Sequence, residues 1–172
     1  MTRSIMAVVV VLMLAGMAQA NGLDDLNAGV AAEKRGDLDA ALGSYTRALD
    51  SAELTKENQT IAYLNRGLAY GRRGDYDAAL RDFNAALRLN PNANAYLNRG
   101  ATYGAKGDYD AAIRDYTTAL HLNPNLVFAY YNRGIAYSSK RDYDAAIRDY
   151  NAALRLNPNL TFAYYNLSLI HI

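Results

Sequence analysis

Between residues 60 and 160 the chain sets out one arrangement of apolar and polar positions three times: AYLNRGLAYGRRGDYDAALRDFNAALRLNPN, AYLNRGATYGAKGDYDAAIRDYTTALHLNPN and AYYNRGIAYSSKRDYDAAIRDYNAALRLNPN. Within a copy the apolar residues recur at helical spacing. In the clearest copy Tyr63, Gly67 and Tyr70 share one face of a first helix, and Ala79, Phe83, Ala86 and Leu87 share one face of a second. The spacing predicts the first helix over Ile61–Arg73, a turn at Gly74-Asp75 and the second helix over Tyr76–Leu89. Asn90-Pro91-Asn92 ends it, since proline cannot continue a helix and asparagine favours turns. One Asp of each Asp-Tyr-Asp run supplies an N-cap oxygen, and both suit the positive end of the helix dipole.

The small residues Gly67, Ala79 and Ala86 let two helix backbones approach, and Tyr63, Tyr70 and Phe83 fill the space beside them. Burying one such large side chain contributes about 1.5–3 kcal/mol. The period is constant: Gly67, Gly100 and Gly134 lie 33 and 34 residues apart, as do Pro91, Pro124 and Pro158. A single helix pair cannot bury both of its faces, so the copies must stack.

This pattern resembles the tetratricopeptide repeat, marked by an aromatic, then Leu-Gly, a Tyr, a later Ala-x-x-x-aromatic and a closing Pro. The second repeat supplies Tyr63, Gly67, Tyr70, Ala79, Phe83 and Pro91. The third supplies Tyr96, Gly100, Tyr103, Ala112, Tyr116 and Pro124, and the fourth Tyr130, Gly134, Tyr137, Ala146, Tyr150 and Pro158. The resemblance implies an all-α, right-handed α-solenoid of stacked antiparallel helix pairs. It divides the chain into an atypical repeat over 22–59, repeats over 60–92, 93–126 and 127–160, and a partial repeat or capping helix over 161–172.

The departures are informative. In the first repeat Gly29, Ala41, Tyr45 and Ala48 fit, but Asp25 and Ala32 replace the aromatics and the closing Pro is missing. Gly29 to Gly67 spans 38 residues, so Ala52–Gln59 reads as a longer connection. Arg66, Arg99 and Arg133 stand where the family usually has Leu, and Arg141 stands at the turn Gly, where a left-handed backbone is costly for a side chain. The closing Leu167-Ser-Leu-Ile-His-Ile172 fits the repeat poorly and is apolar where a terminal helix would be polar. It reads as the end of a truncated chain, or else as a helix that caps the stack or pairs with a second copy.

The first twenty residues stand apart from the repeats. Arg3 precedes a thirteen-residue apolar run, Ile5–Met17, and Ala18-Gln19-Ala20 supplies small residues at a cleavage site. This is the layout of a secretory signal over 1–20, too short to span a membrane comfortably; an uncleaved anchor is the alternative. The expected location is periplasmic or secreted. Cleavage removes Arg3, so Lys+Arg falls from 18 to 17, equal to the 17 acids. An exported domain often relies on disulfides, but this chain has no Cys, and packing alone must hold it. With no Cys and two His, His121 and His171, thiol, His-based and metal chemistry have few candidates. A net charge of +1 leaves no footprint for nucleic acid.

Three repeats that carry Arg at the unusual position also carry Asp sixteen residues later: Arg66 with Asp82, Arg99 with Asp115, Arg133 with Asp149. The first repeat lacks both, with Ala28 and Ser44. This co-occurrence predicts an ion pair between the two helices of a repeat. Asp77 with Arg81, Asp110 with Arg114 and Asp144 with Arg148 read as solvated i, i+4 pairs. The acids of Asp-Tyr-Asp lack the alternating oxygens and closing Glu of a calcium loop.

Asn27, Asn65, Asn98, Asn132 and Asn166 each lie two residues before the Gly position. By the resemblance the first helices line a concave groove, and Asn there bonds the backbone of a bound peptide. Asn offers both donor and acceptor. The alternative is that these residues tie adjacent repeats together. By the same resemblance Leu64, Leu68, Leu97, Ala101, Phe128, Tyr131, Ile135, Phe162 and Tyr165 surround them, while Lys34, Arg72 and Arg73 are the few bases near by, too few to make a carboxylate clamp evident. The chain therefore reads as a non-catalytic scaffold that binds a peptide or helix of another protein, without cofactor, metal or nucleic acid. Self-association as a structural array, or membership of a larger envelope protein, is the alternative.

Overall fold

The computed structural model describes residues 22–51 and 54–170. The expected signal over 1–20 and the closing His171-Ile172 lie outside the described residues. Nine helices and no strand occur among those described. They are α1 (22–34), α2 (Leu38–Asp50), α3 (Lys56–Arg73), α4 (Tyr76–Leu89), α5 (Ala93–Lys106), α6 (Tyr109–Leu122), α7 (Val127–Ser139), α8 (Tyr143–Leu156) and α9 (Thr161–Ile170). Each helix packs on the next in chain order, and α3 meets α5 and α5 meets α7 one repeat apart. The fold is an all-α solenoid of helix pairs, with α1, α3, α5, α7 and α9 side by side.

The second helix of each pair presses its aromatic ring onto the glycine of the first. A Cβ added at Gly67 would lie 2.9 Å from Phe83, and at Gly100 2.9 Å from Tyr116. At Gly134 it would lie 2.7 Å from the ring of Tyr150, which is only 1% exposed. Ala79, Ala86, Ala112, Ala119, Ala146 and Ala153 are all completely buried and complete the close approach. The buried apolar residues gather into clusters along the stack, one around Tyr45, one around Tyr116 and one around Tyr150.

Local chemistry sets the helix ends. Asp37, Asp108 and Asp142 cap α2, α6 and α8 by accepting from the backbone N–H of Ala40, Ala111 and Ala145 at 3.0, 3.0 and 3.1 Å. Asp75 departs from this: its carboxylate accepts from Arg73 Nε at 2.6 Å and makes no side-chain cap. The helix α3 begins at Lys56 rather than at the expected Ile61, because Thr55 Oγ1 accepts from Asn58 N at 3.2 Å and Glu57 lies in the first turn. The expected long connection is therefore shorter than its sequence suggests.

The turn between helices closes alike in every pair. The N–H of Asp75, Asp108 and Asp142 donates to the carbonyl of Tyr70, Tyr103 and Tyr137, each at 2.9 Å. This closure needs a left-handed residue. Gly74 and Gly107 supply it with φ of 90° and 87°, and Arg141 is forced into the same region with φ of 64°. The turn at Arg141 keeps the form of the other two and carries the left-handed cost that its side chain implies.

Two outcomes follow from this packing. Arg141→Gly relieves about 1–2 kcal/mol of left-handed strain and gives back about 0.4–1 kcal/mol to the freer unfolded chain, so urea unfolding should show a net gain in stability. Gly134→Ala should cost about 1–3 kcal/mol by overpacking against Tyr150, more than alanine's helix preference of about 1 kcal/mol returns; the same unfolding measurement reads the loss.

Candidate functional site

Three charged clamps fix the spacing of the helices that carry the site. Arg66 donates from Nε and Nη2 to Asp82 at 2.8 Å each. Arg99 does so to Asp115 at 2.7 Å each, and Arg133 to Asp149 at 2.7 and 2.8 Å. The Asp side chains are 7–8% exposed and the Arg side chains 16–20%. Each guanidinium also lies over an aromatic face: 5.7 Å from the Tyr63 ring centroid, 5.4 Å from Tyr96 and 5.7 Å from Tyr130. The hydrogen bonds that the guanidinium groups donate to Asp82, Asp115 and Asp149 raise the Arg pKa values above the ordinary range, against the opposing effect of burial. The expected pairing is present in all three repeats, and in bidentate form.

The clamp does more than the sequence indicates. The remaining Nη1 of Arg66 donates to Thr46 Oγ1 at 3.1 Å, that of Arg133 to Thr117 Oγ1 at 3.0 Å, and that of Arg99 to Asn84 Oδ1. Thr46, Asn84 and Thr117 belong to the second helix of the preceding repeat, so each Arg ties its own pair together and ties it to its neighbour. The signal was available: each of the three follows the buried aromatic Tyr45, Phe83 or Tyr116 and carries a side-chain oxygen. Asn151 holds the same place after Tyr150, but Leu167 occupies the matching Arg position in α9, and the series stops there.

Exposed pairs run parallel to the clamps. Lys106 meets Asp77, Lys140 meets Asp110, and Arg73 meets Asp39 at 3.1 Å, each across a repeat boundary. The hydrogen bonds from Lys106 and Lys140 hold the Asp77 and Asp110 carboxyls below the usual carboxylate range. The first partners of these acids are thus the next repeat's lysines rather than the expected Arg81 and Arg114 on their own helix.

With the pairs locked, the Asn row and its neighbours come onto the side formed by the first helices. Asn65, Asn98, Asn132 and Asn166 are half-buried and Asn27 is exposed. Asn166 Nδ2 lies 3.4 Å from both Tyr131 Oη and Tyr150 Oη of the preceding repeat. Tyr150 is pushed up to about 12 chiefly by burial, with the Asn166 contact acting the other way. Tyr45 donates to Glu33 at 2.8 Å, and burial first and then Glu33 raise its pKa, while Asn65 opposes. Asn166 therefore reaches the ring hydroxyls of the repeat before it, the geometry of a tie between repeats.

Two hollows open on the same side. One, of 280 Å³, lies between α5 and α7 and is walled by Ala101, Gly104, Ala105, Asn132 and Ile135 over the rings of Tyr109 and Tyr116. The other, of 630 Å³, lies between α7 and α9 and is walled by Tyr131, Ile135, Ser138, Asn166 and Leu169. Of the expected groove residues, Ala101, Asn132 and Ile135 meet in the first and Tyr131, Ile135 and Asn166 in the second. Phe128 and Tyr165 are exposed outside both, 60% and 62%, as is Phe162. Leu64 and Leu68 are half-buried, and Leu97 packs instead against the cluster of Ala112, Tyr116 and Ala136. Gly104, Ala105 and Ser138 were missed, although they lie three and four residues after Ala101 and Ile135 on the same helix faces. His121 is exposed, as expected near a helix end. Among the described residues no group of three or more His, Cys, Asp or Glu could hold a metal ion, and no helix is long and apolar enough to cross a membrane.

The arrangement is similar to that of known proteins. The family model described as Tetratricopeptide repeat matches residues 60–92, 93–126 and 127–160, and a second model of that description matches 26–60. No curated protein matches the chain. Among solved structures, the crystal structure of MamA is 25% identical, covers 88% of this chain and 81% of that one, and superposes with a TM-score of 0.79. The first repeat domain of Spaghetti (RPAP3) bound to the HSP90 peptide SRMEEVD is 27% identical over 66% of this chain and 90% of that one, with a TM-score of 0.64. The second repeat domain of human RPAP3 in complex with the HSP70 peptide SGPTIEEVD is 26% identical over 69% of this chain and 99% of that one, with a TM-score of 0.66.

The clamp predicts strong coupling. Arg99→Leu and Asp115→Ala should each cost about 2–3 kcal/mol, since each strands a shielded charge or polar partner. The double variant should cost less than the sum by about 1–3 kcal/mol. Strict additivity in urea unfolding would remove the clamp from this account.

Proposed function

The chain belongs to the tetratricopeptide repeat family, and from that premise we propose that it is a non-catalytic scaffold that holds a peptide or helix of a partner protein against its first helices. The observation that carries this reading is the pair of hollows between α5, α7 and α9, with Ala101, Asn132, Ile135, Tyr131 and Asn166 in their walls. Apolar walls interrupted by amide groups suit a polypeptide, whose side chains need dry contact and whose backbone needs donors and acceptors. The RPAP3 repeat domains, each described with a bound chaperone peptide, support the same use of this architecture. Export to the periplasm or the medium belongs to the proposal and rests on residues 1–20 alone.

One observation favours self-association as a second reading. The helix α9 contains no charged residue, and Phe162, Tyr164, Tyr165 and Leu169 are 67%, 55%, 62% and 53% exposed on it. Apolar exposure of this extent is a common mark of an interface. Sedimentation of the chain over a range of concentrations separates the two: a monomer at all concentrations sinks self-association.

A photo-reactive residue tests the scaffold itself. Placed at Phe128 on the side of the hollows it should cross-link a partner in the native compartment, and placed at Arg114 on the second-helix side it should not. Asn98→Ala combined with Asn132→Ala should weaken that partner's binding by about tenfold or more, the loss of two ordinary hydrogen bonds. Equal cross-linking from both positions would refute the groove as the binding face.

A further inference from the structure

The side formed by the first helices changes character along the array. Three and four residues after Val30 and Leu68 stand Glu33-Lys34 and Gly71-Arg72, and Arg72 Nη1 meets Glu33 Oε1 at 3.1 Å. The matching places after Ala101 and Ile135 are Gly104-Ala105 and Ser138-Ser139. Charge is thus present on this side in the first two repeats and missing from it afterwards. Neither hollow has a charged residue in its wall, and α9 has none anywhere. The later repeats are not short of charge: Lys106, Asp110, Arg114, Lys140, Asp144 and Arg148 all lie exposed. They lie away from the hollows.

The hollow between α5 and α7 has a size and shape of its own. Its α5 wall is made of the small residues Ala101, Gly104 and Ala105, where the next repeat has Ile135, Ser138 and Ser139. Its base is the buried ring of Tyr116, whose hydroxyl would lie 3.7 Å from a Cβ at Gly104. At 280 Å³ it falls just below the range of about 300–1,000 Å³ typical of small-molecule sites. It is scaled to a bulky side chain rather than to a whole ligand. A charged group seated against such walls would exchange water for uncharged neighbours, which disfavours it. An uncharged group would lose nothing of the kind, and Asn132, Asn166, Ser138 and Ser139 remain beside it for backbone N–H and C=O groups.

We infer that the later half of the groove, over α5, α7 and α9, takes an uncharged apolar polypeptide segment, one bulky side chain of which seats between α5 and α7. The inference rests on the peptide-binding reading above and adds the chemistry of the bound segment. It also distinguishes this chain from a receptor for acidic tails, which would need bases in the walls of the hollows.

A library of short random peptides, some with blocked and some with free C-termini, lets the full-length chain select its own ligand. The expected result is enrichment of sequences without charged residues that share one bulky apolar position. Ala105→Phe and, independently, Ala101→Leu fill the hollow from exposed positions on α5 and should weaken the selected peptides by about tenfold or more, with the urea midpoint unchanged. Lys34→Ala should leave them within about twofold. Selection of acidic or free-carboxylate sequences, lost on Lys34→Ala, would overturn the inference and leave the groove reading standing. Selection of nothing would overturn both.

Discussion

The guanidinium groups of Arg66, Arg99 and Arg133 are charged and mostly shielded from water, so each must find oxygen for its donors. Two donors take both oxygens of an Asp on the paired helix, and a third takes a side-chain oxygen one repeat back. A planar fork fixes direction as well as distance. Each clamp therefore sets how the two helices of a pair lie and how that pair sits on its predecessor. Burying the charges is not in itself a strong source of stability, since desolvation offsets most of the attraction. Their contribution is to exclude other arrangements, because any sliding of the helices would strand a charge. The gross stabilisation comes from the aromatic rings pressed onto glycines and the alanines sealed around them.

Function inherits this geometry. The first helices α3, α5 and α7 come side by side with the clamps and the exposed Arg73–Asp39, Lys106–Asp77 and Lys140–Asp110 pairs recurring at the first three boundaries. On the side that the first helices form, the repeats differ at a few positions. Ala101, Gly104 and Ala105 stand where the next repeat has Ile135, Ser138 and Ser139, and these residues line the two hollows. The stacking is repetitive, and the proposed seat for a peptide lies where the copies differ.

The fold was legible in the sequence because three copies agree at every level, from turn residues to apolar spacing. The Arg–Asp pairs were legible for the same reason, as residues that are present or absent together. Contacts that cross a repeat boundary were not. Thr46, Asn84 and Thr117 share a place after a buried aromatic, but only the packed structure shows that their oxygens accept from an Arg of the following repeat. Asp77 and Asp110 have a basic residue four positions on and another in the next repeat, and only the packed structure chooses between them. Of the Asn row, Asn132 and Asn166 line the hollows, and the contacts of Asn166 with Tyr131 and Tyr150 emerged only from the stacking of α9. The hollow depends on side-chain volumes in two repeats at once, which no single-copy pattern expresses.

Leu167 carries a consequence for the last boundary. It stands where an Arg would grip the preceding repeat, and α9 is held instead by the apolar contacts of Leu160, Ala163, Leu167 and Ile170. The boundary between α8 and α9 thus has apolar packing and the Asn166 amide in place of a buried ion pair. The wider hollow, whose wall α9 completes, depends for its width on that packing, whereas the hollow between α5 and α7 is braced by the Arg133 clamp.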